Sequence, residues 1–132
     1  MNKYGVVALK AVDLLRMDEQ SEPLAAWTVA ASEVFRVGSS SQRKGCPKNA
    51  FLGLCEAGMV EGIQEGYYVN RSTSQKNKGY AIRAVQLLKE KPELADDKVK
   101  LWKEVMNGVE MSHNSQMDVV LSLWNNKLIV GN

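Results

Sequence analysis

Apolar residues recur at three- and four-residue spacing over most of the chain, the pattern of amphipathic helices that each bury one face. Tyr4, Val7, Ala8, Ala11, Leu14 and Leu15 form a first stripe. Leu24, Trp27, Ala31, Val34 and Phe35 form a second, entered through Ser21 and Pro23 and ended by Gly38 and the serines after it. Phe51, Leu54, Cys55 and Met59 follow Cys46-Pro47, where proline suits the first helical position. A fourth helix is expected from near Tyr80 to near Glu90, halted before Pro92. Val99, Trp102, Val105, Met106 and Val109 give a fifth stripe, and Met117, Val120, Leu121, Trp124 and Leu128 a last one. The pattern predicts an all-α fold, a compact bundle of about six helices in a single domain over residues 1–132, with Trp27, Trp102 and Trp124 in its core.

Residues 61–79 break the period. Gly62, Gly66, the adjacent Tyr67 and Tyr68, and the polar basic run from Arg71 to Gly79 predict an irregular loop or a short hairpin around Glu65-Gly66. One strand cannot direct both tyrosines inward, so one of them is expected at the surface as a contact residue.

The two halves echo each other. A-L-K-A-V-D-L-L-R from Ala8 aligns without gaps on A-I-R-A-V-Q-L-L-K from Ala81, and each is followed by a proline (Pro23, Pro92) and a tryptophan (Trp27, Trp102). L-G-L-C-E-A-G-M-V-E-G from Leu52 matches L-S-L-W-N-N-K-L-I-V-G from Leu121 at both leucines, the late apolar pair and the final glycine. Helices rich in Ala, Leu and Val resemble one another by composition alone. The sharper reading is a duplicated three-helix unit, residues 4–62 and 77–131, closing about a pseudo-twofold axis.

Composition narrows the function classes. With 45% hydrophobic and 24% charged residues the chain is built to fold, and its net charge of +2 falls short of a strongly basic nucleic-acid binder. The opening residues lack the apolar run of a signal peptide and no stretch is long enough for a membrane span, so a reducing cytoplasm with both thiols free is expected. Cys46, Cys55 and the lone His113 are too few for a tetrahedral zinc site, and no phosphate loop or paired-carboxylate motif appears, so no metal and no cofactor is expected.

Two constellations carry chemistry. Cys46 at a helix start, between Lys44 and Lys48, sits where backbone N–H groups favour a thiolate. His113 stands just before the last helix, and Asn114, Gln116 and Asp118 could orient its ring, so Cys46 and His113 form a candidate catalytic pair against the alternative of two capping residues. Cys55 falls on an apolar stripe and reads as core. Arg43, Lys44, Lys48, Arg71, Lys76 and Lys78 gather around the third helix and the following loop, a candidate phosphate-contacting set for nucleic acid, interrupted by Glu56, Glu61 and Glu65.

The strings G-C-P-K-N-A-F-L-G-L-C-E-A-G-M-V and H-N-S-Q-M-D-V-V-L-S-L-W resemble those of a family of small bacterial proteins of unknown function. The resemblance covers most of the chain and implies a bacterial or phage source without implying any activity. The reading that emerges is a non-enzymatic helical interaction module acting on a protein partner or as a homodimer. A nucleic-acid-binding domain and a thiol-dependent enzyme stand as its alternatives.

Overall fold

A computed structural model describes residues 2–69 and 75–131. Within them lie six helices: α1 (Lys3–Arg16), α2 (Pro23–Val34), α3 (Gly45–Glu56), α4 (Gln75–Glu90), α5 (Lys98–Met106) and α6 (Gln116–Asn125). A 3₁₀ turn over Pro92–Asp96 leads into α5. The all-α expectation therefore holds. α1 packs on α2 and α6, and α3 packs on α4.

Local chemistry sets the helix ends. The Asn2 side chain accepts from the Tyr4 N–H at 2.7 Å and caps α1. Pro23 opens α2, where its missing N–H costs nothing. α4 starts at Gln75, earlier than the apolar stripe indicated, because its first turns are polar and solvated. Asp97 caps α5, and Asn107 ends it in the left-handed region at φ 50°.

The core is continuous. Trp27 stacks obliquely on Phe51 with ring centroids 5.3 Å apart, and both are buried. Trp102 is buried as well, but Trp124 is only half-buried at the margin of the core. Val99, Val109 and Leu24 also depart from their stripes and face solvent. For Val109 the reason is local: Asn107 and Gly108 are both left-handed and turn the chain out of the helix before it is reached. α3 and α4 approach so closely at Gly53 that a Cβ there would lie 2.6 Å from the Lys78 backbone.

No strand forms among the described residues, and the 61–69 segment is a loop rather than a hairpin. Tyr67 is exposed, and Tyr68 is half-buried with its hydroxyl donating to the Gln64 carbonyl at 2.8 Å. An isolated antiparallel bridge joins Val60 to Ile129. Glu61 N–H donates to the Leu128 carbonyl at 2.8 Å and Val130 N–H to the Met59 carbonyl at 2.9 Å. The chain reaches this bridge in the same way from both sides. Gly58 after α3 and Lys127 after α6 are left-handed, and Met59 and Leu128 donate to Leu54 and Leu123 at 3.0 and 2.9 Å. The 61–69 loop is clasped by Glu56, a buried carboxylate that accepts from the Tyr68 and Val69 amides and from Lys78.

Candidate functional site

Cys46 lies inside the first turn of α3, with Lys44 as the cap and Gly45 as the first helical residue, so the expected capping role passes to Lys44. Pro47 falls one residue further along, still among positions whose N–H groups have no intrahelical acceptor. The Cys46 thiol is half-buried and opens on a cleft of about 300 Å³, where Lys76, Asn77 and Tyr80 of α4 face Met111, Ser112, Asn114 and Gln116. The group that reaches the sulfur is Asn114, whose Nδ2 donates to Sγ at 3.3 Å. Gln116 is buried and fixes the wall: its Oε1 accepts from the Asn114 N–H at 2.7 Å, and its Nε2 donates to Asn77 Oδ1 at 3.0 Å.

His113 is used differently. Its Nε2 lies 3.1 Å from the Met117 N–H and its Nδ1 3.3 Å from the Ser115 N–H. A neutral imidazole has one in-plane lone pair, and the shorter contact assigns it to Nε2, accepting from Met117. The ring thus caps α6, whose N-cap residue Ser115 makes no side-chain cap bond. Trp102 packs edge-on against it at 5.4 Å, and Asp118 Oδ2 lies 3.8 Å from Nε2. Burial pushes the imidazole below its ordinary value and Asp118 opposes this, while Lys98 and Lys44 push the same way as burial. Cys46 and His113 therefore meet different partners: the sulfur has an amide donor beside it and the imidazole faces helix backbone. An amide cannot take a proton from a thiol, so the group beside the sulfur, Asn114, is no general base. Cys55 is fully buried, and burial drives its thiol well up.

The basic set divides. Lys78 is committed to Glu56, which leaves it poorly placed for phosphate. Lys44 lies 5.3 Å over the Tyr4 ring. Lys76 borders the Cys46 cleft, whereas Arg43 and Lys48 line a separate cleft of about 300 Å³ with Trp27, Thr28 and Gln42. Arg71 lies outside the described residues. Among the described residues no group of three or more His, Cys, Asp or Glu is placed to hold a metal ion, and no helix is long and apolar enough to cross a membrane.

One surface is not marked by the apolar stripes of the sequence. After Asn107 and Gly108 reverse the chain, residues 109–112 run back beside α5 and enclose a groove of about 440 Å³. Trp102 and Met106 line it beneath Val99, Val109 and Met111, which are 64%, 60% and 45% exposed. Trp102 Nε1 donates to the Met111 carbonyl at 2.8 Å, and the Tyr80 hydroxyl lies 3.9 Å from Met111 Sδ, so this strap is fastened at its centre. The signal available in the sequence was Asn107-Gly108, a helix stop that removes Val109 from the fifth stripe.

No curated protein and no solved structure matches the chain. A family model does, over residues 1–130, and the chain belongs to that family, DUF6979, a family of unknown function.

Proposed function

We propose that this chain is a non-enzymatic protein-interaction module of a reducing bacterial cytoplasm, and that the α5 groove receives an amphipathic helical segment of a partner protein. The observation that carries this reading is the groove itself: three large apolar side chains stand open to solvent around one concavity, rather than scattered over the surface. Burying them against a partner's apolar side chains is the favourable step, and the groove has the helix-in-groove form of recognition. Its walls differ in charge. Lys103, and Lys100 one turn earlier on the same flank, have no carboxylate partner among the described residues, while Glu110 borders the opposite wall. A fitting helix therefore carries acid on the flank facing α5 and base on the flank facing Glu110.

A labelled amphipathic peptide of about four turns, with an apolar stripe flanked by Glu on one side and Lys on the other, tests this by fluorescence anisotropy. Binding should weaken at least about tenfold with Val109→Asp or Met111→Asp. Lys103→Glu should weaken it too, with recovery when the peptide's Glu flank is changed to Lys. A peptide that fails to bind, or that binds Val109→Asp as it binds the parent, refutes the proposal. A concentration-dependent dimer abolished by Val109→Asp assigns the groove to a second copy instead.

A further inference from the structure

The second site stands in the other half of the molecule. From Val34 to Cys55 the chain carries Arg36, Arg43, Lys44 and Lys48 and not one Asp or Glu. The nearest acid before this stretch, Glu33, is turned to Lys10 at 3.5 Å. None of the four cations has a carboxylate partner among the described residues. Arg43 and Lys48 of this group wall the cleft formed by α2, the connection 35–44 and α3, with Trp27 on its floor.

The other polar groups of the cleft are already engaged. Thr28 Oγ1 donates to the Leu24 carbonyl at 2.9 Å. Gln42 Oε1 accepts from the Gly38 N–H at 2.6 Å, its Nε2 donates to Ser32 Oγ at 2.7 Å, and its N–H donates to Ser39 Oγ at 3.2 Å. The Tyr4 hydroxyl fastens the same connection by donating to the Ser41 carbonyl at 3.0 Å. The cleft is thus set before any ligand arrives, and its unspent polar capacity is cationic.

Its position also corresponds to that of the α5 groove. Each concavity lies between a middle helix bearing a buried tryptophan, Trp27 or Trp102, and the connection to the next helix. The Tyr4 hydroxyl of α1 holds the first connection at Ser41, and Tyr80 of α4 lies against the second at Met111. The α5 groove is lined mainly by apolar side chains, whereas this cleft carries two cations.

We infer that the Arg43–Lys48 cleft binds a small organic anion, its carboxylate or phosphate head between the guanidinium and the ammonium and its apolar body along the Thr28 methyl and the aliphatic stems of Arg43 and Lys48. The arginine fork suits a two-oxygen head, and the lysine supplies a second charge-assisted bond. A nucleic-acid backbone suits the site less well, because it needs a row of available cations, and Lys78, the next candidate, is taken by Glu56.

The test is an NMR titration of the full chain with phenyl phosphate, benzoate, inorganic phosphate and benzyl alcohol. Phenyl phosphate or benzoate should bind saturably and shift the amides of Thr28, Gln42 and Arg43. Inorganic phosphate should bind at least about tenfold more weakly and benzyl alcohol not measurably. The tighter of the two aromatic anions identifies the head group. Arg43→Gln combined with Lys48→Gln should weaken binding about a hundredfold, each lost charge-assisted bond costing about tenfold, with the far-ultraviolet circular dichroism unchanged. The same double variant should still bind the amphipathic peptide, while Val109→Asp should still bind the anion, which separates this inference from the proposed function. Non-saturating shifts, equal binding by the double variant, or displacement of phenyl phosphate by duplex DNA with a steep salt dependence would each overturn it.

Discussion

Glu56→Gln tests whether one carboxylate holds the 61–69 loop onto the α3–α4 pair. The Glu56 side chain is 3% exposed and its partner Lys78 21% exposed. The carboxylate accepts from the Tyr68 N–H at 2.9 Å and the Val69 N–H at 3.2 Å in addition to Lys78. Burial pushes its carboxyl up, but Lys78 and the two amides outweigh burial and hold it below the ordinary carboxylate range. Glutamine keeps the shape and one carbonyl acceptor. It converts charge-assisted bonds to neutral ones, a loss of about 1 kcal/mol each. It also leaves Lys78 without its counterion; breaking one side of a buried pair costs about 3–5 kcal/mol, and the partial exposure of Lys78 favours the lower end. The expected loss is about 3 kcal/mol, a fall in Tm of about 10 °C for a chain of this size. Urea unfolding at neutral pH measures it, with the slope m unchanged. Adding Lys78→Met should recover part of the loss, because the stranded charge is then gone. The pH dependence has a definite sign. The carboxyl's folded-state value is depressed, so its contribution is complete above the unfolded value near 4.5 and is lost as pH falls through the folded value. Glu56→Gln should flatten that acid limb. A variant melting within about 2 °C of the parent, or an unchanged acid limb, would show that the clasp contributes no stability.

Further predictions concern other parts of the fold. Gly53→Ala should cost about 2–4 kcal/mol in urea unfolding, because backbone rather than a flexible side-chain tip meets the added methyl; a neutral result would refute the close α3–α4 approach. Trp27→Ala should cost about 3–5 kcal/mol and Trp124→Ala clearly less, in line with their different burial; equal losses would contradict the core boundary. The His113 imidazole, held low mainly by burial, should titrate below 6.5 by NMR, its contribution to stability being full above that value and declining as pH falls through the folded one; a titration at or above 6.5 would remove the capping role. A small alkylating reagent should modify Cys46 well before the buried Cys55, and His113→Ala should leave the Cys46 rate unchanged; a drop in that rate would restore the thiol–imidazole pair.

Much of the architecture was legible because helix formation follows from periodic burial. The residues that departed from their stripes, Val99, Val109, Leu24 and Trp124, lie at or just beyond helix ends or at the rim of the core, where spacing no longer reports which face is covered. The start of α4 was illegible for a related reason, since Gln75-Lys76-Asn77-Lys78 forms a solvated first turn without apolar periodicity. Of the site residues, Cys46 was placed at the helix cap, two positions short of its place as the second residue of α3, and His113 was seen as one of two capping residues or half of a pair without a way to choose. The choice depends on where the ring meets the Met117 amide, which is a tertiary fact. Glu56 read only as an interruption of positive charge, although it is the residue that consumes Lys78. The groove escaped notice because its apolar walls and the core's apolar stripes are made of the same residue types. The echo between the halves stays a proposal, supported by the matched left-handed residues and hydrogen bonds that lead into the Val60–Ile129 bridge.

That bridge sets an order of assembly. During synthesis Val60 emerges before any of α4, α5 or α6, and its partner Ile129 only after all three. Closing so long an intervening loop is entropically expensive, so the pairs that adjoin along the chain, such as α1 with α2, can form long before it. Vectorial folding of these six helices is therefore closed by a latch: its two hydrogen bonds can form only when both halves are made and correctly apposed. A nascent chain halted short of Leu128 would hold its helices yet leave open the seam where the halves meet, a form for quality-control proteases to find.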